Sequence, residues 1–193
     1  KYKIKSNSYF FSAGSILPSR GIEDTILALN HLKMKKINMQ VLHAGSVVDN
    51  SYYKFLKKII KNKGLAENII FLGKINQHEM NWYYQNSIAF IMTSRVESFG
   101  MIAAQALANG CINISTDSKC LPEIFGRCAL YYDAKNYIKL ADIIVNVLDL
   151  SSGQIKQFSN NSINQSKNFS WDICANKTIE LFKEVLIKYE NKR

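Results

Sequence analysis

The sequence predicts an α/β domain with a Rossmann-like parallel sheet of about six strands and helices on both of its faces. Two observations lead to this fold class. Short apolar runs alternate along the chain with longer amphipathic segments, which is the pattern of parallel strands joined by crossover helices. Several of these runs end at glycine or small polar residues. With 193 residues, 47% of them hydrophobic, the chain is long enough to bury one compact core.

Six short apolar runs are the predicted strands. They lie at residues 9–13, 39–44, 69–72, 88–92, 112–116 and 129–132. Right-handed crossovers bring the carboxyl ends of all parallel strands to one edge of the sheet, and ligands bind in the crevice outside that edge. Residues that directly follow the runs, although far apart in sequence, are therefore expected to converge.

Helices are predicted between and after the strands. Apolar residues recur at helical spacing in the first two crossovers, at Ile22, Ile26, Leu29 and Leu32, then at Tyr53, Leu56, Ile59 and Ile60. Residues 137–150 and 171–189 are expected to be long C-terminal helices, joined by a polar stretch rich in Asn and Gln. A further helix is expected to begin near Gly100 and to end before Gly110.

The second crossover helix carries lysines around its apolar stripe, at Lys54, Lys57, Lys58, Lys61 and Lys63. One interpretation is an ordinary solvated surface. The other is contact with anionic lipid headgroups or nucleic acid. The net charge of +10 does not discriminate among phosphate, nucleic acid and lipid, because such a field attracts any polyanion. Aromatic residues do not interleave with basic ones as in single-strand platforms, so we expect no nucleic-acid partner.

Several classes of protein are disfavoured by composition. No apolar run approaches the ~18 residues of a membrane span, and the charged start of the chain lacks the features of a signal peptide, so a cytoplasmic location is expected. The four cysteines are scattered without a C-x-x-C pair, which predicts reduced, structural thiols. No D-x-D triplet is present to hold a divalent ion. We expect no metal site and no cofactor.

The loop after the first strand, residues 14–21, reads Gly-Ser-Ile-Leu-Pro-Ser-Arg-Gly. Glycines let backbone N–H groups approach an anion closely, and the planar fork of Arg20 suits phosphate oxygens. The loop could therefore cradle a diphosphate. Its spacing matches neither a P-loop nor G-x-G-x-x-G, and an ordinary turn followed by a surface arginine is the alternative.

The segment after the fourth strand, residues 94–110, places Glu97 just before a predicted helix and Gln105 within it. The free N–H groups of such a helix start favour an anion. Both side chains could reach the hydroxyls of a ligand. The alternative is that Glu97 only caps the helix and Gln105 is an interfacial amide.

Five motifs in register resemble a known family. They are the Gly-x-x-x-x-x-[Lys/Arg]-Gly loop, Phe-Leu-Gly-Lys-Ile at 71–75, the 94–110 segment, Leu-Pro-Glu-Ile at 121–124 and Phe-Ser-Trp at 169–171. Together they resemble the C-terminal, donor-binding domain of glycosyltransferase family 4, the retaining transferases of GT-B architecture. The resemblance covers about residues 9–189. It implies one half of a GT-B fold, with C-terminal helices, that binds a nucleotide sugar.

The resemblance also implies roles for particular residues. Glu97 and Arg20 would be catalytic. The donor diphosphate would be bound by Gly14, Ser15, Arg20, Gly21, Ser98, Phe99, Gly100, Met101 and Ile102, and the base and ribose by Gly73, Ile75, Gln77 and Gln105. Two departures from the family pattern stand out, since the family usually has arginine in place of Ser15 and glutamate in place of Gln105.

The function implied is transfer of a hexose from a UDP-sugar or GDP-sugar to a glycan or lipid-linked acceptor in surface polysaccharide biosynthesis, such as lipopolysaccharide or capsule. Residues 1–193 would form a single nucleotide-sugar-binding domain, with its core at about 9–150 and a helical tail at about 151–193. The acceptor would bind through an N-terminal domain that is absent from this chain. Without that domain the chain would be inactive. A peripheral position at the inner face of the membrane is a further option. The alternative function is a degenerate, non-catalytic nucleotide-binding or scaffolding module.

Overall fold

The computed structural model describes residues 5–190. Residues 1–4 and 191–193, which hold the charged start of the chain and both ends of the expected 1–193 domain, lie outside the described residues. All six predicted strands are present. They are β1 (Phe10–Ala13), β2 (Val41–Ala44), β3 (Ile69–Gly73), β4 (Phe90–Met92), β5 (Asn113–Thr116) and β6 (Ala129–Tyr132).

The six strands form one parallel sheet in the order β3-β2-β1-β4-β5-β6. This is the predicted Rossmann-like arrangement. The chain leaves β1 toward β2 and β3 on one side and reaches β4, β5 and β6 on the other. Such a reversal opens a crevice between the loops that follow β1 and β4, the two loops in which the sequence placed Arg20 and Glu97.

Eight α-helices connect or follow the strands in the described chain. They are α1 (Ile22–Met34), α2 (Asn50–Asn62), α3 (Gln77–Gln85), α4 (Met101–Ala108), α5 (Leu121–Phe125), α6 (Tyr137–Leu148), α7 (Ser152–Ser166) and α8 (Trp171–Glu190). The helices expected from apolar spacing are confirmed, including the one between Gly100 and Gly110.

Helix α7 corrects the expectation of a polar connection between the last two helices. Its first turn is closed by a capping box, in which the hydroxyl of Ser151 accepts from the amide of Gln154 and the Gln154 side chain accepts from the Ser151 amide. Ser162 is fully buried and donates to the carbonyl oxygen of Cys111. Helix α7 packs on α4. Gln165 also donates to the carbonyl oxygen of Ile124. Because α7 is held largely by such polar contacts, its apolar stripe is too weak to be recognised in sequence.

Two apolar layers cover the sheet. One face packs against α1, α2 and α6 through residues such as Ile26, Leu56 and Ile144. The other packs against α3, α4 and α5, with Tyr84 and Ala103 at its centre. Successive side chains of a strand point to opposite faces, so both faces of these strands are buried. The sheet is therefore a rigid platform for the loops at its carboxyl edge.

Candidate functional site

A pocket of about 260 Å³ opens at the carboxyl edge of the sheet, beside the ends of β1, β2 and β3. It is lined by Ala13, Gly14, Ser15, Ala44, Gly45, Ser46, Lys74, Ile75, Gln77, Met80, Ile102 and Gln105. Six of these residues were sequence predictions for the site. The predicted convergence of loops that are distant in sequence is therefore present.

Glycine backbones form the floor of this pocket. A Cβ placed on Gly45 would lie only 2.6 Å from the carbonyl carbon of Gly14 and closer still to its oxygen, so the two loops touch backbone to backbone. The Gly45 amide donates to the carbonyl oxygen of Gly73 at 2.9 Å. Gly14 itself has a φ of 140°, a conformation that favours glycine. The ends of β1 and β2 thus touch at a position where a side chain on Gly45 would block the approach, and β3 joins them through the Gly73 carbonyl oxygen.

His43 supports the Gly14 loop from below. Its ring is buried, with Nε2 2.9 Å from the Gly14 carbonyl oxygen and Nδ1 3.2 Å from the Ser12 hydroxyl. A carbonyl oxygen can only accept, so Nε2 carries the proton and Nδ1 accepts from Ser12. Burial lowers the pKa of His43 to about 4, although its bond to Gly14 opposes that shift. Sequence reasoning missed this residue, whose signal is a histidine inside the apolar run 39–44.

Arg20 is the last residue of a short 3-10 turn that is hydrogen-bonded to the segment after β4. Thr93 donates its hydroxyl to the Arg20 carbonyl oxygen at 2.6 Å, and the Arg95 amide donates to the carbonyl oxygen of Ser19 at 2.8 Å. Gly21 follows in the left-handed conformation, where a Cβ would lie 2.6 Å from the Thr93 carbonyl oxygen. Gly21 is therefore required by packing, and its predicted part in diphosphate binding stays a prediction.

The guanidinium of Arg20 lies between two segments of the 94–110 motif. One nitrogen, Nη1, forms an ion pair with the Glu97 carboxylate and donates to the Ser94 hydroxyl at 3.1 Å. The Nε of Arg20 is buried and has no hydrogen-bond partner among the described residues. A Cβ built on Gly14 would lie 3.8 Å from this Nε. One nitrogen of the guanidinium therefore lies next to the glycine loop without a hydrogen-bond partner among the described residues.

The amino end of α4 is the second feature beside the pocket. Gly100 caps the helix in the left-handed conformation without any side-chain hydrogen bond. The first amides of a helix lack acceptors within it, so those of Met101 and Ile102 can serve an anion. Ile102 and Gln105 line the pocket. Glu97 does not cap α4, as one interpretation of the sequence had it, since Gly100 occupies that position.

Eight predicted site residues lie outside the pocket lining, namely Arg20, Gly21, Gly73, Glu97, Ser98, Phe99, Gly100 and Met101. Ser98, Phe99 and Met101 are exposed at its rim, and the Phe99 ring meets that of Phe169 edge to face at 5.9 Å. Gly73 contributes its carbonyl oxygen to Gly45 rather than a surface to the pocket. Ser98, Phe99 and Gly73 therefore have no direct place in the pocket, whereas Met101 contributes its backbone amide at the start of α4.

Arg95 joins the Glu97 segment to α1 through a charged network that sequence reasoning missed. Its Nη2 lies 2.7 Å from the Glu23 carboxylate and 3.1 Å from that of Asp24. Asp24 is buried and also accepts from the Lys135 amide at 2.8 Å. Burial raises the pKa of Asp24, although the Lys135 amide and Arg95 act in the opposite direction. This network fixes the backbone on which Glu97 is carried.

No group of three or more His, Cys, Asp or Glu side chains among residues 5–190 is arranged to hold a metal ion. The metal independence of ligand binding stays a prediction.

None of the described helices has both the length and the apolarity needed to cross a membrane.

A doubly wound parallel sheet with a crevice at its carboxyl edge defines a Rossmann-like α/β domain. The family of the chain follows from its sequence: a family model described as glycosyl transferases group 1 matches residues 1–165. The chain belongs to that family.

Similarity to individual proteins agrees with this family. The chain is 23% identical over 188 residues to the O-antigen chain mannosyltransferase B of Escherichia coli, covering 95% of this chain and 48% of that protein. It thus spans about half the length of this curated relative.

Two solved structures share the fold. One is the C-terminal domain of a glycosyl transferase group 1 family protein of Francisella tularensis, with a TM-score of 0.71, 23% identity and coverage of 85% of this chain and 87% of that one. The other is the Anabaena protein HepE in complex with UDP and glucose, with a TM-score of 0.81, 18% identity and coverage of 92% and 48%.

Proposed function

We propose that this chain is the donor-binding half of a retaining transferase of glycosyltransferase family 4. It would hold a UDP-sugar or GDP-sugar while a hexose is transferred to a glycan or lipid-linked acceptor in surface polysaccharide biosynthesis. The observation that carries the proposal is the position of Arg20, whose unpartnered Nε lies beside the Gly14 loop while its Nη1 pairs with Glu97. A cation so placed suits a diphosphate.

The diphosphate would lie between the Gly14 loop and the start of α4. The backbone of Gly14 and Ser15, the guanidinium of Arg20 and the first amides of α4 all face this space or adjoin it. Hydrogen bonds from charged donors to phosphate oxygens are short and strong. Neutralising charge on the departing nucleoside diphosphate is the main demand of the reaction, and Arg20 would meet it without a metal.

The base and ribose would occupy the side of the pocket formed by the loop after β3 and by α4. Ile75, Gln77 and Gln105 line that side. Lys74 also lines it and is exposed, so it adds a cation that the resemblance had not assigned. Gln105 can accept and donate hydrogen bonds to ribose hydroxyls.

Glu97 would contact the sugar. Its carboxylate is mostly buried, with 11% of the side chain exposed, and is held in place by Arg20. The Arg95 network holds the backbone two residues before this position. A fixed carboxylate at the sugar can favour the charge of the transition state over that of the ground state. Retention at the anomeric carbon follows from the family resemblance.

The acceptor would bind to a second, N-terminal half, so that this chain alone would be inactive. Two observations support that arrangement. The chain spans 48% of its Escherichia coli relative, and every side chain of residues 171–189 in α8 is exposed, including Leu181, Phe182 and Leu186. Apolar surface of this extent usually marks an interface. A cytoplasmic enzyme at the inner face of the membrane would meet a lipid-linked acceptor there.

The second candidate function is a degenerate module that binds nucleotide weakly or acts as a scaffold. It is favoured by Ser15 and Gln105, which stand where the family usually has arginine and glutamate. Both residues line the pocket, so the departures fall inside the proposed site. The loss of one cation and one carboxylate would weaken donor binding.

NMR titration of the chain with UDP tests where the nucleotide binds. Amide shifts are expected at Gly14, Ile102 and Gln105, with Gly64 at the opposite edge of the sheet as an internal control. Saturable shifts confined to the pocket residues would support the donor site. Shifts centred elsewhere, or spread evenly over exposed lysines, would contradict it, and shifts that saturate without transfer by the full-length protein would favour the degenerate module.

A further inference from the structure

Lysines are concentrated on one part of the surface, remote from the pocket. Between residues 33 and 63 the chain has eight lysines and a single acidic residue, Asp49. Asp49 is engaged as the cap of α2, where its carboxylate accepts from the Tyr52 amide at 2.8 Å. We call this region the α1–α2 cationic surface, and it consists of Lys33, Lys35, Lys36, Lys54, Lys57, Lys58, Lys61 and Lys63.

The lysines of α2 point away from the core. Leu56 and Ile60 are buried against the sheet, and Lys54, Lys58 and Lys61 recur at helical spacing on the opposite side, where all three are exposed. The α2 segment Asn50–Asn62 contains no acidic residue. Its outer face is therefore a row of like charges.

The end of α1 extends this row. Lys33, Lys35 and Lys36 are exposed, and the Nζ of Lys33 donates to the Gly64 carbonyl oxygen at 2.6 Å, just beyond α2. This bond holds the carboxyl ends of the two helices together. The charges of both helices thus belong to one continuous surface, which reaches the amino edge of the sheet.

The lysines of this surface form no salt bridge within the described chain, and a further carboxylate beside them is that of Glu67, which lines the same cavity as Lys33 and Lys36. The salt bridges found among residues 5–190 involve Arg20 and Arg95 and none of the eight lysines. Two large apolar side chains stand among them, since Met34 is 78% exposed and Phe55 is 50% exposed. Exposed apolar groups beside basic ones are the combination that binds at the boundary between lipid headgroups and acyl chains.

We infer that the α1–α2 cationic surface docks the protein on a bilayer of anionic lipids. Lysines would contact the headgroup phosphates, while Phe55 and Met34 would reach the interface. Nucleic acid fits less well, because among the exposed residues of α2 Phe55 is the single aromatic residue and offers no series of stacking platforms. The pocket opens at the opposite, carboxyl edge of the sheet, so docking would leave it free.

This inference does not rest on donor binding. It assigns a surface to the membrane contact that the sequence left as an option, and its test uses lipid rather than nucleotide. The probe is a set of vesicles of phosphatidylcholine alone or with phosphatidylglycerol, to which binding of the whole chain is measured by co-sedimentation at low and high salt. Binding to the phosphatidylglycerol vesicles that is lost at high salt is expected.

The decisive variant replaces Lys54, Lys58 and Lys61 with glutamine. Glutamine keeps the helix propensity of lysine, so the fold should survive. We expect vesicle affinity to fall by roughly 100-fold, given the usual contribution of each basic residue near an anionic surface. The matched control replaces three exposed lysines elsewhere, Lys139, Lys156 and Lys167, and should retain the affinity of the parent chain.

Several outcomes would overturn the inference. One is a loss of vesicle affinity in the control variant as large as that in the Lys54, Lys58 and Lys61 variant. Another is binding of the parent chain to neutral vesicles that is as strong as its binding to phosphatidylglycerol vesicles, or no binding to the latter. The last is an affinity for RNA that exceeds the affinity for vesicles. Titration of both variants with UDP separates this inference from the proposed function. A chain that binds vesicles through these lysines but no nucleotide keeps the docking surface and removes the donor site.

Discussion

The guanidinium of Arg20 pairs with the carboxylate of Glu97, 77 residues further along the chain. The pair bridges the loop after β1 and the loop after β4, the two loops between which a doubly wound sheet opens its crevice. Arg20 keeps a buried Nε without a partner. The proposed donor site therefore has its cation already oriented beside the Gly14 loop.

Replacement of Arg20 by alanine should weaken UDP binding by roughly 10-fold to 100-fold, because a hydrogen bond to a charged group contributes about 1.5–3 kcal/mol. Calorimetric titration measures the effect. Arg20→Lys should recover part of the loss, since lysine keeps the charge but not the planar fork. Arg127→Ala, which removes an exposed arginine, is the matched control. Equal losses in both alanine variants would mean that only net charge matters.

Replacement of Glu97 by glutamine should reduce sugar transfer by the full-length protein by about 100-fold, the usual effect of removing one fixed electrostatic group from a transferase site. The amide keeps an acceptor oxygen for Arg20, so the local fold should persist. The turnover number with saturating donor is the quantity to measure. Glu123→Gln, in an exposed residue of α5, is the control, and unchanged turnover in Glu97→Gln would remove Glu97 from the mechanism.

The stability of the chain should fall as the pH is lowered from about 6.5 to about 4. The pKa of His43 is lowered from 6.5 to about 4 by burial, so the unfolded chain takes up a proton over this range while the folded chain does not. The contribution of neutral His43 to the free energy of unfolding is thus fully present above the ordinary pKa of histidine. It decreases by about 3 kcal/mol as the pH approaches 4.

Urea unfolding across this pH range measures the effect. His43→Asn should flatten that part of the profile, whereas His78→Asn, in an exposed residue of α3, should leave it unchanged. An unaltered pH profile in the His43 variant would show that another group is responsible.

Replacement of Gly45 by alanine should destabilise the chain by about 1–3 kcal/mol, the usual cost of forcing a methyl group into a filled space. The new Cβ would meet the Gly14 carbonyl group, so the proposed diphosphate loop should also shift and UDP binding should weaken. Thermal unfolding and UDP titration measure the two effects. Gly153→Ala is the control, because no described atom lies within 4 Å of a Cβ built there. Similar losses of stability and of UDP affinity in Gly45→Ala and Gly153→Ala would argue against the close approach of the two loops.

The strands of the sheet were predictable because they depend on features that the sequence displays directly, whereas their order in the sheet was not predicted. Each strand is a buried apolar run, and parallel strands buried on both faces have few polar residues to obscure the pattern. The meeting of Gly14 with Ile102 followed from one rule about the carboxyl edge of such sheets. Sequence could thus place the residues of the candidate site near one another before any coordinates were known.

Contacts that depend on three-dimensional packing were not predictable. Arg95 gives no sign in sequence that it pairs with Glu23 and Asp24 rather than facing solvent, because the partners lie more than seventy positions away. His43 resembles an ordinary polar interruption of a strand until its bond to Gly14 is seen. Helix α7 was missed because its apolar pattern is weak, and the contacts that stabilise it are a cap and a buried hydroxyl, which depend on the folded structure.

The most direct test of the central claim is calorimetric titration of this chain with UDP, GDP and ADP. Half of a transferase site with a few charged contacts should bind one nucleotide saturably with a Kd of roughly 10 μM to 1 mM, and Arg20→Ala should weaken that binding. Absence of saturable binding by all three nucleotides at several times the upper limit of this range would contradict the proposed donor site.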